Sequence, residues 1–316
     1  MTKADTPPPL FTQTGEPIGL SVYGTMQWGG TADADASGEM FDQCRAAGIR
    51  HFDTAHLYTD GRSEEILGDL VGTAGDVFVA TKAAYDQPAT PDVLRRSVAT
   101  SQDRLKRDVI DLLYLHQFDP TTPLEVTFEA LAGLQERGAI RYIGVSNFAA
   151  WQVVKAQAIA QSFGTRIDAL QPMLNLVKRQ VEVELLPMAQ DQDIAVFAYS
   201  PLGGGLLTGK YVRATADGRL AVDDRYKARY GQAWMHDAAT GLVEIAEREG
   251  VAPATLAVAW IRHHAPQVAP ILSARSAAQL APSLDGLDYQ MSDSLYEELT
   301  ALAPAPPPPT DRIEEA

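Results

Sequence analysis

Eight short runs rich in β-branched and aromatic residues recur along the chain, and their spacing constrains the fold more than any other feature. They are GLSVYGTM from residue 19, IRHFDTA from 49, VFVATK from 77, DLLYLH from 111, RYIGVSN from 141, DALQPML from 168, IAVFAYS from 194 and APILSAR from 269. Six of the seven start-to-start intervals lie between 26 and 34 residues, and the last is 75. An interval of 26 to 34 residues holds one strand and one crossover helix. Repetition of that unit without a composition break predicts an α/β fold, a single-domain (β/α)8 TIM barrel, rather than a doubly wound sheet. The barrel is expected over residues 1–303, with a Pro-rich flexible tail at 304–316. The segment up to about Gly19 is expected to cover the bottom of the barrel, and residues 203–268 must hold a long loop and additional helices.

Local signals agree with the alternation. Thr122, Pro123 and Glu125 read as a capping box with proline at the first helical position, and Gly138 ends that helix. Thr90 before Pro91, and Ser63 before Glu64 and Glu65, repeat the start signal. Cys44 falls in register with Met40, Phe41 and Ala47 on a helical face and reads as packing.

A net charge of −15 argues against general nucleic-acid binding, which needs a basic surface. No apolar run approaches the roughly 18 residues of a membrane span, and the start MTKADTPPPL lacks the apolar core of a secretory signal. With a single cysteine, these features point to a cytoplasmic protein. No metal is expected. His263 and His264 are adjacent on a helix, unlike an i, i+4 ligand pair, and His51 and His56 lack a matching ligand set.

The chemistry of such a barrel sits where its strands end. The second strand ends in Asp53 with Tyr58 in the loop beyond it, the third in Lys82 and the fourth in His116. These four types make a coherent proton donor. Tyrosine has a reference pKa of about 10, too high for efficient donation at neutral pH. An ammonium at about 4 Å attracts a phenolate by roughly 4 kcal/mol at an effective dielectric of about 20, so Lys82 is expected to lower the pKa of Tyr58. Asp53 would hold Lys82 charged, and His116 would orient a carbonyl oxygen.

The stretch SPLGGGLLTGKY from Ser200 adds an anion site. Gly204, Gly209 and Lys210 open like a Walker A loop, but Tyr211 stands where Ser or Thr must hold Mg²⁺, which excludes a nucleoside triphosphatase by this route. A dinucleotide G-x-G-x-x-G fails as well, since Thr208 follows Gly203 and Gly205 in the third glycine position. Three successive glycines beside a lysine still let backbone amides approach an anion.

FDTAHLYTDGRSEEILGDL, VATKA, LLYLH, YIGVSNF and AYSPLGGGLLTGKY together resemble the aldo-keto reductase family, from about Gly19 to about Leu287. The resemblance implies a catalytic tetrad of Asp53, Tyr58, Lys82 and His116, and NADPH (NADP⁺) as cofactor. It places the pyrophosphate under Ser200, Pro201, Leu202, Gly203, Gly204, Gly205, Leu206 and Lys210. Tyr199 would stack on the nicotinamide, Ser146, Asn147 and Gln171 would bind its carboxamide, and Gly24, Thr25 and Asp53 would add contacts. Ser273, Arg275, Gln279 and Ser283 would serve the adenosine half, with Arg275 on the 2′-phosphate. Ser276 and Gln279 also read as a helix capping box. Pro282 and Ser283 depart from the Glu-Asn pair of many relatives.

YTDGRSEEILGDL, SNFAAWQVV and RQVEVELLP resemble the branch that reduces aflatoxin dialdehyde, succinic semialdehyde and related dicarbonyls. The implied partner is a small carbonyl compound, with no nucleic acid and no membrane. Met26 and Trp28 are candidates for the pocket wall, and Arg229, with Arg225 beside it, for a substrate carboxylate. Two other readings stay open: a Schiff-base aldolase using Lys82, and an NADPH-binding regulatory subunit of a membrane protein.

Overall fold

The computed structural model describes residues 10–213 and 219–310. Its strands are β1 (Val22–Gly24), β2 (His51–Asp53), β3 (Phe78–Ala83), β4 (Ile110–Leu115), β5 (Ile140–Ser146), β6 (Ala169–Gln171), β7 (Ala195–Ala198) and β8 (Val268–Leu272). All pair in parallel and in chain order, and β1 closes on β8, so the barrel predicted from the spacing is present. Between the strands run α1 (Ala34–Ala46), α2 (Arg62–Val71), α3 (Pro91–Leu105), α4 (Leu124–Glu136), α5 (Ala150–Ser162) and α6 (Leu185–Asp191). The long interval before β8 holds a 3₁₀ turn (Gly203–Thr208), α7 (Lys210–Arg213), α8 (Arg219–Val222), α9 (Asp224–Tyr230), α10 (Ala233–Glu249) and α11 (Pro253–His264). Helices α12 (Ala277–Asp288) and α13 (Asp293–Thr300) follow β8.

Strand alternation divides the apolar residues into two cores. Val22, Phe78, Leu112, Tyr114, Phe197 and Ile271 fill the barrel, and Leu10 and Ile18 join them from the N-terminal segment. Phe52, Val79, Leu113 and Val145 face outwards, against the helices. The period of two therefore turns Asp53, Lys82 and His116 inwards along with Phe78, Ala80 and Tyr114. Cys44 is fully buried in the outer core. The N-terminal segment folds across the bottom: Arg141 donates to the Phe11 carbonyl at 2.8 Å, and Phe11 bridges Pro17. Residues 1–9 of that segment and 311–316 of the tail lie outside the described residues.

Two helix starts differ from the sequence reading. Pro123 occupies the N-cap of α4 with ψ 134°, one position before the first helical turn, and no side chain caps that end. Ser63 lies inside α2, behind the left-handed Gly61 at the N-cap, and its hydroxyl donates to the Thr25 carbonyl at 2.9 Å. A buried tertiary acceptor outcompetes the helix end for this hydroxyl. Thr90 does cap α3, accepting from the Val93 amide with Pro91 at the first helical position. Among the described residues no helix is long and apolar enough to cross a membrane. Pro304, Ala305, Pro306 and Pro307 of the tail lie along a cavity shared with Phe148 and Trp234.

Candidate active site

Four side chains meet above the barrel core. The Lys82 ammonium forms an ion pair with Asp53 Oδ1, donates to the Thr54 carbonyl at 2.7 Å and reaches the Tyr58 hydroxyl at 3.5 Å. Tyr58 sits in a 3₁₀ turn just past β2, and its ring meets His116 edge-on at 6.0 Å. Lys82 is 1% exposed and Asp53 3%, so their mutual attraction is little screened by solvent. Burial alone would lower the pKa of Lys82, but Asp53 and Tyr58 hold its proton and the net shift is upwards. Burial raises Asp53 against the pull of Lys82 and a 2.8 Å hydrogen bond from Gln171 Nε2.

The expectation for Tyr58 is corrected. Its pKa is raised, because burial penalises the phenolate more than Lys82 stabilises it. The simple Coulomb argument undervalued desolvation of a ring enclosed by protein. His116 is pressed down to about 3 by burial and by Lys82, so it is a neutral imidazole at ordinary pH.

A second layer of hydrogen bonds fixes the rim. Ser146 donates to the Gln171 carbonyl at 2.9 Å, and Asn147 Nδ2 donates to the His116 carbonyl at 2.9 Å. The Tyr199 hydroxyl donates to Asn147 Oδ1 at 2.8 Å. Thr25 stands in the same array, with its hydroxyl 2.7 Å from Ser63. Asn147 and Ser200 take left-handed φ of 58° and 60°, which aims the ends of β5 and β7 across the mouth.

Gly203, Gly204 and Gly205 carry φ of 56°, 66° and 98°, a run that residues with a Cβ rarely adopt. A Cβ on Gly205 would lie 3.0 Å from the Lys210 ammonium, and one on Gly204 would lie 2.6 Å from the Tyr226 ring. Bare backbone and a cation thus share one cradle. At the far end, Arg275 is half-buried and pairs with no carboxylate among the described residues. Gln279 accepts from the Arg275 amide at 3.3 Å while Ser276 caps α12, so the capping box is only half made.

The sequence model of the Aldo/keto reductase family matches residues 22–304. This chain belongs to the aldo/keto reductase family. Aflatoxin B1 aldehyde reductase member 2 of Mus musculus is 37% identical over 281 residues, covering 82% of this chain and 76% of its own. Uncharacterized oxidoreductase YrpG of Bacillus subtilis (strain 168) is 31% identical over 319 residues, covering 93% and 95%. A probable voltage-gated potassium channel subunit beta of Oryza sativa subsp. japonica is 30% identical over 315 residues, covering 92% and 94%.

In this aldo/keto reductase not every candidate reaches the mouth. Trp28 is fully buried, packing on Tyr23 at 5.5 Å and Phe52 at 6.5 Å on the outer side of the barrel, so it walls no pocket. Met26, two residues away, keeps partial exposure. Ser283 is buried on α12, while Ser273 is exposed beyond β8. Arg225 is neutralised by Asp223 at 3.2 Å, whereas Arg229 lies over the Tyr226 ring at 5.4 Å and acts electrostatically on Tyr199. Sequence reasoning missed Tyr114, whose ring lies 5.9 Å under the Lys82 ammonium. Its place two residues before His116 on β4 was the available signal. It also passed over Tyr226, between the two arginines it noted.

One consequence concerns acid. His51, inside the barrel between Phe78 and Phe197 with no hydrogen-bond partner for either ring nitrogen among the described residues, is held down to about 3 by burial, as His116 is. Their folded values lie below the unfolded one, so between about pH 6.5 and pH 3 the unfolded chain binds protons the folded chain refuses. The contribution of these two sites to stability falls with falling pH there, by up to about 1.4 kcal/mol per pH unit for each histidine. Urea unfolding between pH 7 and pH 5 is expected to show a smaller slope in His51→Leu. Equal slopes would refute this role of His51.

Proposed function

We propose that the protein is an NADPH-dependent cytoplasmic reductase that converts aldehydes and ketones to alcohols, with Tyr58 as the proton donor. The contact that carries this reading is the Tyr58 hydroxyl 3.5 Å from an ammonium that is itself paired with Asp53. The cofactor fits the residues present: the left-handed glycine run with Lys210 suits a pyrophosphate, and the unpaired Arg275 suits a 2′-phosphate. Tyr199, Ser146, Asn147 and Gln171 would hold the nicotinamide end, with Gly24 and Thr25 beside them. When bound, NADPH supplies a hydride to the carbonyl carbon.

The side chains do the rest. His116, neutral, donates a hydrogen bond to the carbonyl oxygen and orients it towards Tyr58. The raised pKa of Tyr58 keeps its proton in place at neutral pH until negative charge develops on that oxygen. The proton then moves from Tyr58 to the alkoxide, and Lys82 offsets the cost of the phenolate left behind. Asp53 keeps Lys82 protonated through the cycle. An ammonium so held is a poor nucleophile, which weighs against the aldolase reading. Arg229 at the mouth suits an aldehyde that carries a carboxylate.

The test is NADPH oxidation by the purified protein against nitrobenzaldehyde, succinic semialdehyde and methylglyoxal, with NADH in parallel. Turnover preferring NADPH is expected, and Arg275→Ala should weaken NADPH by about tenfold while changing NADH little. Equal weakening of both would remove the 2′-phosphate contact. Cofactor binding without turnover of any aldehyde would favour a regulatory subunit, the reading suggested by the name of the rice relative.

A further inference from the structure

A cavity of about 490 Å³ opens beside the mouth. None of Asp53, Tyr58, Lys82 and His116 lines it, although Asn147 forms one edge. Much of its wall is apolar, from Phe148, Met173, Trp234 and Met235, with Pro304 and Pro306 of the tail along one side. The size lies within the roughly 300–1,000 Å³ of small-molecule sites.

Two cations line the cavity, and they differ. Arg179 makes two hydrogen bonds to Glu182, at 2.7 and 3.0 Å, and lies over the Trp260 ring. Glu182 in turn meets His264 at 2.9 Å. That charge is balanced. Lys178 is half-buried and pairs with no carboxylate among the described residues; its ammonium lies 5.8 Å from the centre of the Tyr230 ring. Its pKa is lowered by burial and by a second cation, Arg229. The chain carries 41 acidic and 26 basic residues, so carboxylates to pair with Lys178 were plentiful, yet its environment offers another positive charge. A half-buried ammonium beside a second cation is a ready contact for an anion.

We propose that this cavity binds a small amphipathic anion, with its apolar body among Phe148, Met173, Trp234 and Met235 and its carboxylate on Lys178. The site shares Asn147 with the rim of the reaction centre and none of its four central residues, and its test reads binding rather than turnover. Octanoate serves as the probe, octanamide as its neutral counterpart and acetate as the anion without the apolar body. Binding to the full chain is followed by calorimetry and by the NMR signals of labelled methionine methyl groups. Octanoate is expected to bind saturably and to shift the Met173 and Met235 methyls. Lys178→Gln should weaken octanoate about tenfold or more, as loss of a charge-assisted hydrogen bond does, and leave octanamide unchanged. Silent methyls, an unchanged octanoate affinity in Lys178→Gln, or an equal response to acetate would each overturn the site.

Discussion

Tyr58→Phe is expected to bind NADPH as well as the natural protein does and to lose turnover by about 10²-fold or more. The substitution removes one oxygen. The ring keeps its edge-on contact with His116 at 6.0 Å and its place 5.0 Å from the Lys82 ammonium, so the walls of the site survive. What disappears is the proton that, on the proposed mechanism, reaches the alkoxide. Because that transfer belongs to the transition state, kcat and kcat/KM should fall together, with KM for the aldehyde nearly constant. Fluorescence titration with NADPH separates binding from chemistry. Turnover within a few-fold of the natural protein would mean that water or His116 delivers the proton, and the assignment of Tyr58 would be lost.

The barrel was legible because its signal is repeated. Six of the seven intervals repeated the same strand-helix unit, and a slip of a few residues at either end of a strand did not disturb the count. Three of the four central residues were legible for a related reason: on β2, β3 and β4 the period of two points Asp53, Lys82 and His116 inwards at the mouth. Tyr58 lies in a 3₁₀ turn without such a period, and only its closeness in sequence to the end of β2 and the chemistry of the other three singled it out.

Other features depend on which partner wins a competition, and that is settled only in three dimensions. Trp28 follows β1 and could have faced either side of the wall; the indole donates to the Tyr23 hydroxyl at 3.3 Å on the outer side. Ser63 had the composition of a helix start but found a buried acceptor in the Thr25 carbonyl and a hydroxyl partner in Thr54. The upward shift of Tyr58 is the same lesson in electrostatics: the pull of Lys82 is legible in the sequence, while the size of the desolvation opposing it is set by the fold.

Lys82→Met should be the most destabilising single change at the site. The side chain is 1% exposed and its ammonium ties Asp53, the Thr54 carbonyl and Tyr58 together. A methionine fills similar space but leaves the Asp53 carboxylate buried, with Gln171 at 2.8 Å as its remaining hydrogen-bond partner. Stranding one charge of a buried pair costs about 3–5 kcal/mol. The cost has a pH signature. Without Lys82 the folded pKa of Asp53 must rise further above its unfolded value, so the folded variant binds the extra proton. Its stability deficit is therefore full at neutral pH and shrinks as pH falls through that raised value. Adding Asp53→Asn to Lys82→Met removes the stranded charge and should recover most of the lost stability, measured by urea unfolding at pH 7. Turnover should stay at least 10²-fold down in both variants, because neither carries a cation to offset the phenolate. If the double variant is no more stable than Lys82→Met alone, the pair is not what holds this end of the barrel, and the loss must be assigned to packing around the lysine stem instead.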